Sequence, residues 1–291
     1  MKILVTIPHF HDASGNGAYG STGPESARRA EALSHTIAGI HQNLGPRQAF
    51  LYCLHNHMPG RGNGRLVKVN EQAGAAIDIA VCTVGDKHLV ERLSVPKSMF
   101  HHQTVTADPM MIGFACQRIL QAHIGKYDFY CYMEDDLWIG DPYFLSKISW
   151  FARSFGDDTL LLPHRYELGT AEPLHKLYID GPVRPDFTTQ WQNVQDRRTL
   201  ESEFLRAPVA FERWTNPHSG CFFLNAAQME KWASSASFLD GDCSFAGPLE
   251  SAASLGVMKN FRIYKPVYAN AGLLEIRHLH NRYLGVALKT S

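Results

Sequence analysis

Tyr127-Asp128-Phe129-Tyr130-Cys131-Tyr132-Met133 runs straight into Glu134-Asp135-Asp136 and then into Leu137-Trp138-Ile139. After Asp128 every residue up to Met133 is apolar or aromatic, which predicts a strand covered on both faces. In an open α/β sheet, ligands collect beyond the carboxyl ends of such strands. The three carboxylates stand at that place. Clustered carboxylates repel one another, and a hard divalent cation such as Mg²⁺ or Mn²⁺ compensates while keeping positions open for phosphate oxygens. A solvated acidic turn is the bland alternative for an arbitrary Glu-Asp-Asp. The buried strand before the triplet and the apolar run after it favour the cation.

Upstream, Lys2–Ile7 reads as a buried first strand ended by Pro8. A glycine-rich loop runs from His9 to Gly23. Pro24 then takes a first helical position, with apolar residues at Ala27, Ala30, Leu33, Ile37, Ile40 and Leu44, and Gly45-Pro46 as the stop. Gln48–Leu54 and Ala76–Val84 read as further strands. Asp108-Pro109 opens a second helix, whose buried face is Ile112, Cys116, Ile119 and Leu120 and which ends at Gly125. Alternation of this kind implies a mainly parallel sheet with right-handed crossovers.

Downstream the periodicity weakens. Pro163–Pro217 is rich in Pro, Arg and aromatics, and so long an irregular segment is a candidate functional surface. A strand at Cys221–Leu224, helices at Ala226–Ala233 and from Pro248, and a strand around Phe261–Tyr268 follow.

The 291 residues suffice for one large α/β domain, and no composition break marks a boundary. With 28 basic and 28 acidic residues the formal charge is zero, which disfavours a nucleic-acid partner. No stretch approaches the roughly 20 apolar residues of a membrane span, and the start lacks a signal-peptide pattern. The six cysteines are scattered, without a CxxC pair, so a reduced, cytoplasmic protein is the simplest expectation.

A buried strand ending in a DxD-like acidic motif resembles the signature of GT-A-type glycosyltransferases. The resemblance implies a Rossmann-like GT-A fold over 1–291, with the nucleotide-binding half at about 1–140 and the acceptor-binding half at about 141–291. It implies a nucleoside diphosphate-sugar donor, a carbohydrate or other hydroxyl acceptor, and a Mn²⁺ or Mg²⁺ cofactor. Asp136 becomes the direct metal ligand, while Glu134 or Asp135 contacts the ribose or a metal-bound water. The plain pattern has Asp first, and this chain has Glu134 there.

The same resemblance colours three later segments. Gly220, in Pro217–Asn225, is similar to the glycine that borders the acceptor site, where a missing Cβ lets substrate approach the backbone. Glu250 falls in the first turn of a helix starting at Pro248, where it either caps the backbone or removes the acceptor hydroxyl proton, as in inverting members. Asp240 and Asp242 are weaker candidates for that base. His278 and His280 lie on one side of an extended segment and either could complete the metal shell. Pro8, His9 and Phe10 are expected to line the base. Arg28 and Arg29 could meet phosphates, although exposed helix arginines are the simpler reading. Arg165, Arg184, Trp191 and Trp214 are expected in the acceptor wall.

Rival readings are weaker. Gly15–Gly20 matches GxGxxG, as in an NAD-dependent oxidoreductase, but the strand ends near Ile7 and the helix starts near Pro24, and the second strand lacks a ribose-binding acid at its end. His55-Asn56-His57 matches a nuclease motif only in name. No GxSxG elbow or P-loop is present. A nucleotidyltransferase usually carries Lys or Arg in the loop after the first strand, and here none precedes Arg28. A non-catalytic carbohydrate-binding relative would have no need of Asp136, Glu250 and the His pair.

Overall fold

The computed structural model describes residues 1–15, 21–45, 50–53, 65–69, 74–169 and 176–290. Most of the Gly15–Gly20 motif, Pro46 and the His55–His57 tripeptide lie outside them. In the first half, β1 (Lys2–Pro8) leads to α1 (Ser26–Leu44), β2 (Phe50–Cys53), β3 (Arg65–Lys68), β4 (Ala76–Thr83), β5 (His101–Thr104), α2 (Ile112–Ala122) and β6 (Phe129–Met133). Then come β7 (Leu137–Trp138), α3 (Phe144–Phe155), β8 (Thr159–Leu161), β9 (His164–Leu168), β10 (Lys176–Tyr178), β11 (Thr199–Phe204) and β12 (Ala207–Glu212). The chain closes with β13 (Cys221–Asn225), α4 (Ala226–Ala233), α5 (Pro248–Asn260), β14 (Arg262–Pro266), β15 (Glu275–His278) and α6 (Arg282–Thr290).

The central sheet has the order β13-β6-β1-β4-β5. Its β6/β1, β1/β4 and β4/β5 ladders are parallel, whereas β13 runs antiparallel to β6. Two more four-stranded sheets, β10-β9-β15-β7 and β11-β12-β14-β8, mix both senses. The architecture is therefore mixed α/β, and the expectation of a mainly parallel sheet is corrected. The physical reason is that the irregular second half supplies hairpin partners, which need no crossover helix. The strand expected at Gln48–Leu54 also changes place: β2 pairs antiparallel with β3 in a separate two-stranded sheet.

Both faces of the central sheet are covered, as the unbroken apolar runs required. Ile3, Val5 and Ile7 of β1, with Phe129, Cys131 and Met133 of β6, pack with Leu33, Ile37 and Ile40 of α1 and Phe144 and Phe151 of α3. The alternate residues Leu4, Tyr130 and Tyr132 face Cys116 and Leu120 of α2, Met229 and Trp232 of α4, and Leu255 of α5. Period-two alternation thus feeds two cores from one strand. Asp108 caps the turn Pro109–Met111 by accepting from the Met110 N–H at 2.8 Å, and α2 proper starts one turn later than its cap predicts.

His164, on β9, is buried and pairs its Nε2 with the Pro266 carbonyl at 2.7 Å. Burial, aided by repulsion from Lys265, pushes its pKa down from 6.5 to about 4. The unfolded chain therefore binds a proton that the folded chain refuses, so this contribution to stability is complete above pH 6.5 and is lost as pH falls toward 4. Between pH 7.5 and 5 it should cost on the order of 2 kcal/mol. Urea unfolding at the two pH values should show His164→Gln losing less stability than the parent; parallel losses would reject the assignment.

Candidate active site

The acidic triplet leaves the carboxyl end of β6 and meets the end of β1, the first turn of α1, the start of β13, the N-terminus of α5 and the end of β15. The triplet, Arg29 of α1, Arg165 of β9, Glu250 of α5, His278 of β15 and His280 line an open cleft of about 210 Å³. The β15 segment is drawn there by its antiparallel pairing with β7, which sets His278 opposite Leu137, and by Leu279 N–H donating to the Asp136 carbonyl at 2.9 Å. His278 and His280, two residues apart, consequently flank Asp136, with Nε2 atoms 3.6 and 3.7 Å from its Oδ2.

Each carboxylate has a different environment. Asp135 is buried and accepts from His9 Nδ1 at 2.6 Å and from Arg29 Nη2 through both oxygens, at 2.6 and 2.7 Å. His9 Nε2 accepts from the Leu89 N–H at 3.0 Å, so the proton on its ring sits at Nδ1. Burial alone would raise the Asp135 carboxyl, but the Arg29 guanidinium and the His9 hydrogen bond hold it well below the usual carboxylate range. Asp136 receives Arg29 Nη1 at 3.2 Å on Oδ2, while its Oδ1 is buried without a hydrogen-bond partner among the described residues.

Glu134 points the other way, toward Arg165 Nη1 at 3.1 Å. Burial raises its pKa to about 7, only partly opposed by Arg165. Arg165 is itself clamped by both oxygens of Asp180 at 2.8 Å. Behind them lies Lys265, buried and donating to the His218 carbonyl at 2.5 Å, its pKa lowered by burial to about 8.

His278 donates from Nδ1 to the buried Glu167 at 2.8 Å, which turns Nε2 toward Asp136. Burial lowers the His278 pKa, and Asp136 and Glu167 more than restore it, for a net rise. Glu167 also accepts from the Leu284 N–H at 2.6 Å, tying the first turn of α6 to the site. The same carboxylate therefore orients a histidine and caps a helix.

Gly220 has φ +63°, and a Cβ there would sit 2.4 Å from Glu134 Oε2. Gly220→Ala should thus cost roughly 1–3 kcal/mol, from the left-handed backbone and from pushing Glu134 off Arg165. Denaturant midpoints would test this; an unchanged midpoint would show that Glu134 moves aside freely.

Glu250 stands across the cleft at the third position of α5. Among the described residues its carboxylate takes no hydrogen bond, so it does not serve as a backbone cap. Asp240 and Asp242 are instead occupied by Lys259, at 2.7 Å each.

Several expectations are corrected here. Arg29 is not an exposed helix arginine but a buried partner of two carboxylates, whereas Arg28 is exposed and, among the described residues, paired only with Glu25. His9 is fully buried and supports Asp135, so it offers no surface to a base; Pro8 and Phe10 do reach a pocket beside Arg29 and Glu134. Trp191 packs edge-on to Phe245, and Trp214 is buried between His164 and Tyr268; neither lines the acidic cleft. Arg184 faces solvent beside Asp186. Glu167 and Asp180 were not singled out from the sequence. Arg165 and Glu167 alternate along β9, which is buried from His164 to Glu167, so both charges face one way.

Among the described residues no helix is long and apolar enough to cross a membrane. No protein-family model matches the chain, and no curated protein matches it. Solved structures similar to it include S. aureus TarS, at 12% identity and TM-score 0.44, covering 97% of this chain and 37% of that one. A second is S. aureus TarS 1-349, at 8% identity and TM-score 0.45, covering 100% and 64%. A third is GalNAc-T7 with UDP, GalNAc and Mn²⁺, at 9% identity and TM-score 0.48, covering 96% and 43%. The chain spans less than two thirds of each, and likeness at these scores carries no argument about its chemistry.

Proposed function

We propose that this chain is a nucleotide-sugar-dependent glycosyltransferase that moves a sugar to an acceptor hydroxyl with inversion at the anomeric carbon. The observation that carries the reading is Asp136: a carboxylate at the end of the central strand, with one oxygen unpartnered and two imidazoles beside the other. Among the described residues no three His, Cys, Asp or Glu side chains are already gathered in metal-holding geometry. The donor chemistry nonetheless fits, because Asp136 Oδ1 lacks a partner and Glu167 holds His278 with Nε2 turned inward. Asp136, His278 and His280 would hold a Mn²⁺ or Mg²⁺ ion. A bound divalent cation supplies Lewis-acid stabilisation of the departing diphosphate.

The chain's own groups account for the rest. Glu250 accepts the acceptor hydroxyl proton as that oxygen bonds to the anomeric carbon and the carbon–phosphate oxygen bond breaks. Its freedom from other partners leaves both oxygens available. Arg165 and Asp180 hold Glu134, and Glu134 with Gly220 shapes the floor on the acceptor side. The nucleotide lies over Pro8 and Phe10, with Arg29 and Arg282 contributing positive charge near the phosphates. The donor is held mainly by residues of about 1–140 and the acceptor mainly by about 141–291, with the ends of β6 and β15 joining them.

Isothermal titration with a panel of nucleoside diphosphates, with Mn²⁺ and with chelator, tests this. One base should bind with metal and lose at least about tenfold in affinity with chelator. Binding of NAD and of none of the diphosphates would sink the reading.

A further inference from the structure

Arg29 is held unequally at its two ends. Toward Asp135 its Nη2 makes two short contacts, at 2.6 and 2.7 Å. Toward Asp136 its Nη1 is shared between Oδ2 and His280 Nε2, each at 3.2 Å. Those two acceptors are 3.7 Å apart, so a single nitrogen bridges them. Asp136 Oδ1 and Arg29 Nε are left buried and unpartnered among the described residues. One side of the guanidinium is saturated, and the other is a loose bridge over an incompletely satisfied carboxylate.

Nη1 occupies the His280 Nε2 lone pair and lies against the Oδ2 edge of the Asp136 carboxylate, and both groups are assigned above to a divalent cation. Guanidinium and metal therefore compete for His280 Nε2 and, by charge, for the Asp136 carboxylate. A buried acidic triplet without any cation would be strongly destabilising, and Arg29 supplies the compensating charge when no metal is present. We infer that Arg29 is a resident counter-ion of the site, which a divalent cation displaces from Asp136 and His280 while the bidentate pairing with Asp135 persists. This rests on the transferase reading only through the metal position at Asp136.

The consequence is a coupling between metal and donor. Metal alone must break the Nη1 contacts with nothing to replace them. When a diphosphate arrives with the metal, the freed N–H can turn to a phosphate oxygen, a charge-assisted bond of the kind guanidinium favours. Arg29 thereby weakens binding of the bare ion and favours loading of ion and diphosphate together.

The test is Mn²⁺ titration of the full chain, followed by electron paramagnetic resonance, for the parent, Arg29→Lys and Arg29→Met. Lysine keeps a charge for Asp135 but cannot bridge to Asp136 and His280 at the same time. Arg29→Lys should bind Mn²⁺ about tenfold more tightly than the parent, the worth of a lost charged hydrogen bond. Equal or weaker binding in both variants overturns the inference and leaves the metal site standing. No Mn²⁺ binding in any of the three proteins overturns the metal site, and the inference with it. Since Arg29→Met leaves Asp135 buried with His9 but without its guanidinium and can fail to fold, a readout on the parent chain is added: Mg²⁺ titration should shift the Arg29 guanidinium nitrogen resonance, identified by its loss in Arg29→Lys. A resonance that stays put at saturating Mg²⁺ also overturns the inference.

Discussion

Glu250→Gln should lower sugar transfer by roughly 10²- to 10⁴-fold while leaving nucleoside diphosphate affinity within about twofold. The amide is isosteric but cannot take a proton from the acceptor. Stability should hardly move, because Glu250 makes no hydrogen bond among the described residues and a first-turn carboxylate contributes at most about 1 kcal/mol through the helix dipole. The other acids near the cleft are poor substitutes. Glu134 is engaged by Arg165, and Asp240 and Asp242 are held by Lys259. Full activity in Glu250→Gln would remove the base from the mechanism, and with it the argument for inversion. A fall in donor affinity matching the fall in transfer would make Glu250 a binding group.

The second large effect is on the fold. Arg165→Met should destabilise the protein by roughly 3–5 kcal/mol, since it strands Asp180 in the interior and removes the cation facing Glu134. Asp180 is 6% exposed, and Arg165 provides both of its side-chain hydrogen bonds among the described residues. Lys265 lies near enough to favour its charge but makes no bond to it. Arg165→Met combined with Asp180→Leu should recover most of the loss, because replacing both partners removes the uncompensated charge rather than exposing it. Denaturant midpoints of the two single variants and the double variant give the coupling directly. An additive double variant would mean that the pair is not the source of the cost.

Local patterns accounted for much of the first half. The run Lys2–Ile7 announced a buried strand, Phe129–Met133 announced one covered on both faces, and the spacing from Ala27 to Leu44 announced the face of α1. These depend on short-range periodicity and on turn residues, which a chain carries in its order. The pairing of β2 did not follow in the same way. An apolar run declares a strand, but whether its partner is β1 or a neighbouring hairpin strand depends on contacts far along the chain. Within Pro163–Pro217, short strands with few periods gave too little repetition to be read, although four form there among the described residues.

For the site, the sequence by itself determined where the carboxylates cluster: they follow a strand whose composition demanded burial, and a buried strand's end is where an α/β sheet opens to a ligand. It also marked Glu250 at a helix start and the His278/His280 pair by their spacing of two. Only the tertiary structure decided which partners these groups meet. Arg29 is separated from Asp135 and Asp136 by more than a hundred positions, and its spacing of four from Leu33 puts it on the buried face of α1 without saying what it meets there. His9 became a support instead of a surface, and both tryptophans left the cleft, because burial is set by what packs above a residue. Three adjacent acids thus took three environments, with Glu134 turned to Arg165, Asp135 saturated by Arg29 and His9, and Asp136 left with an open oxygen. Charges identical in sequence diverge once desolvation and neighbouring cations act on each of them separately.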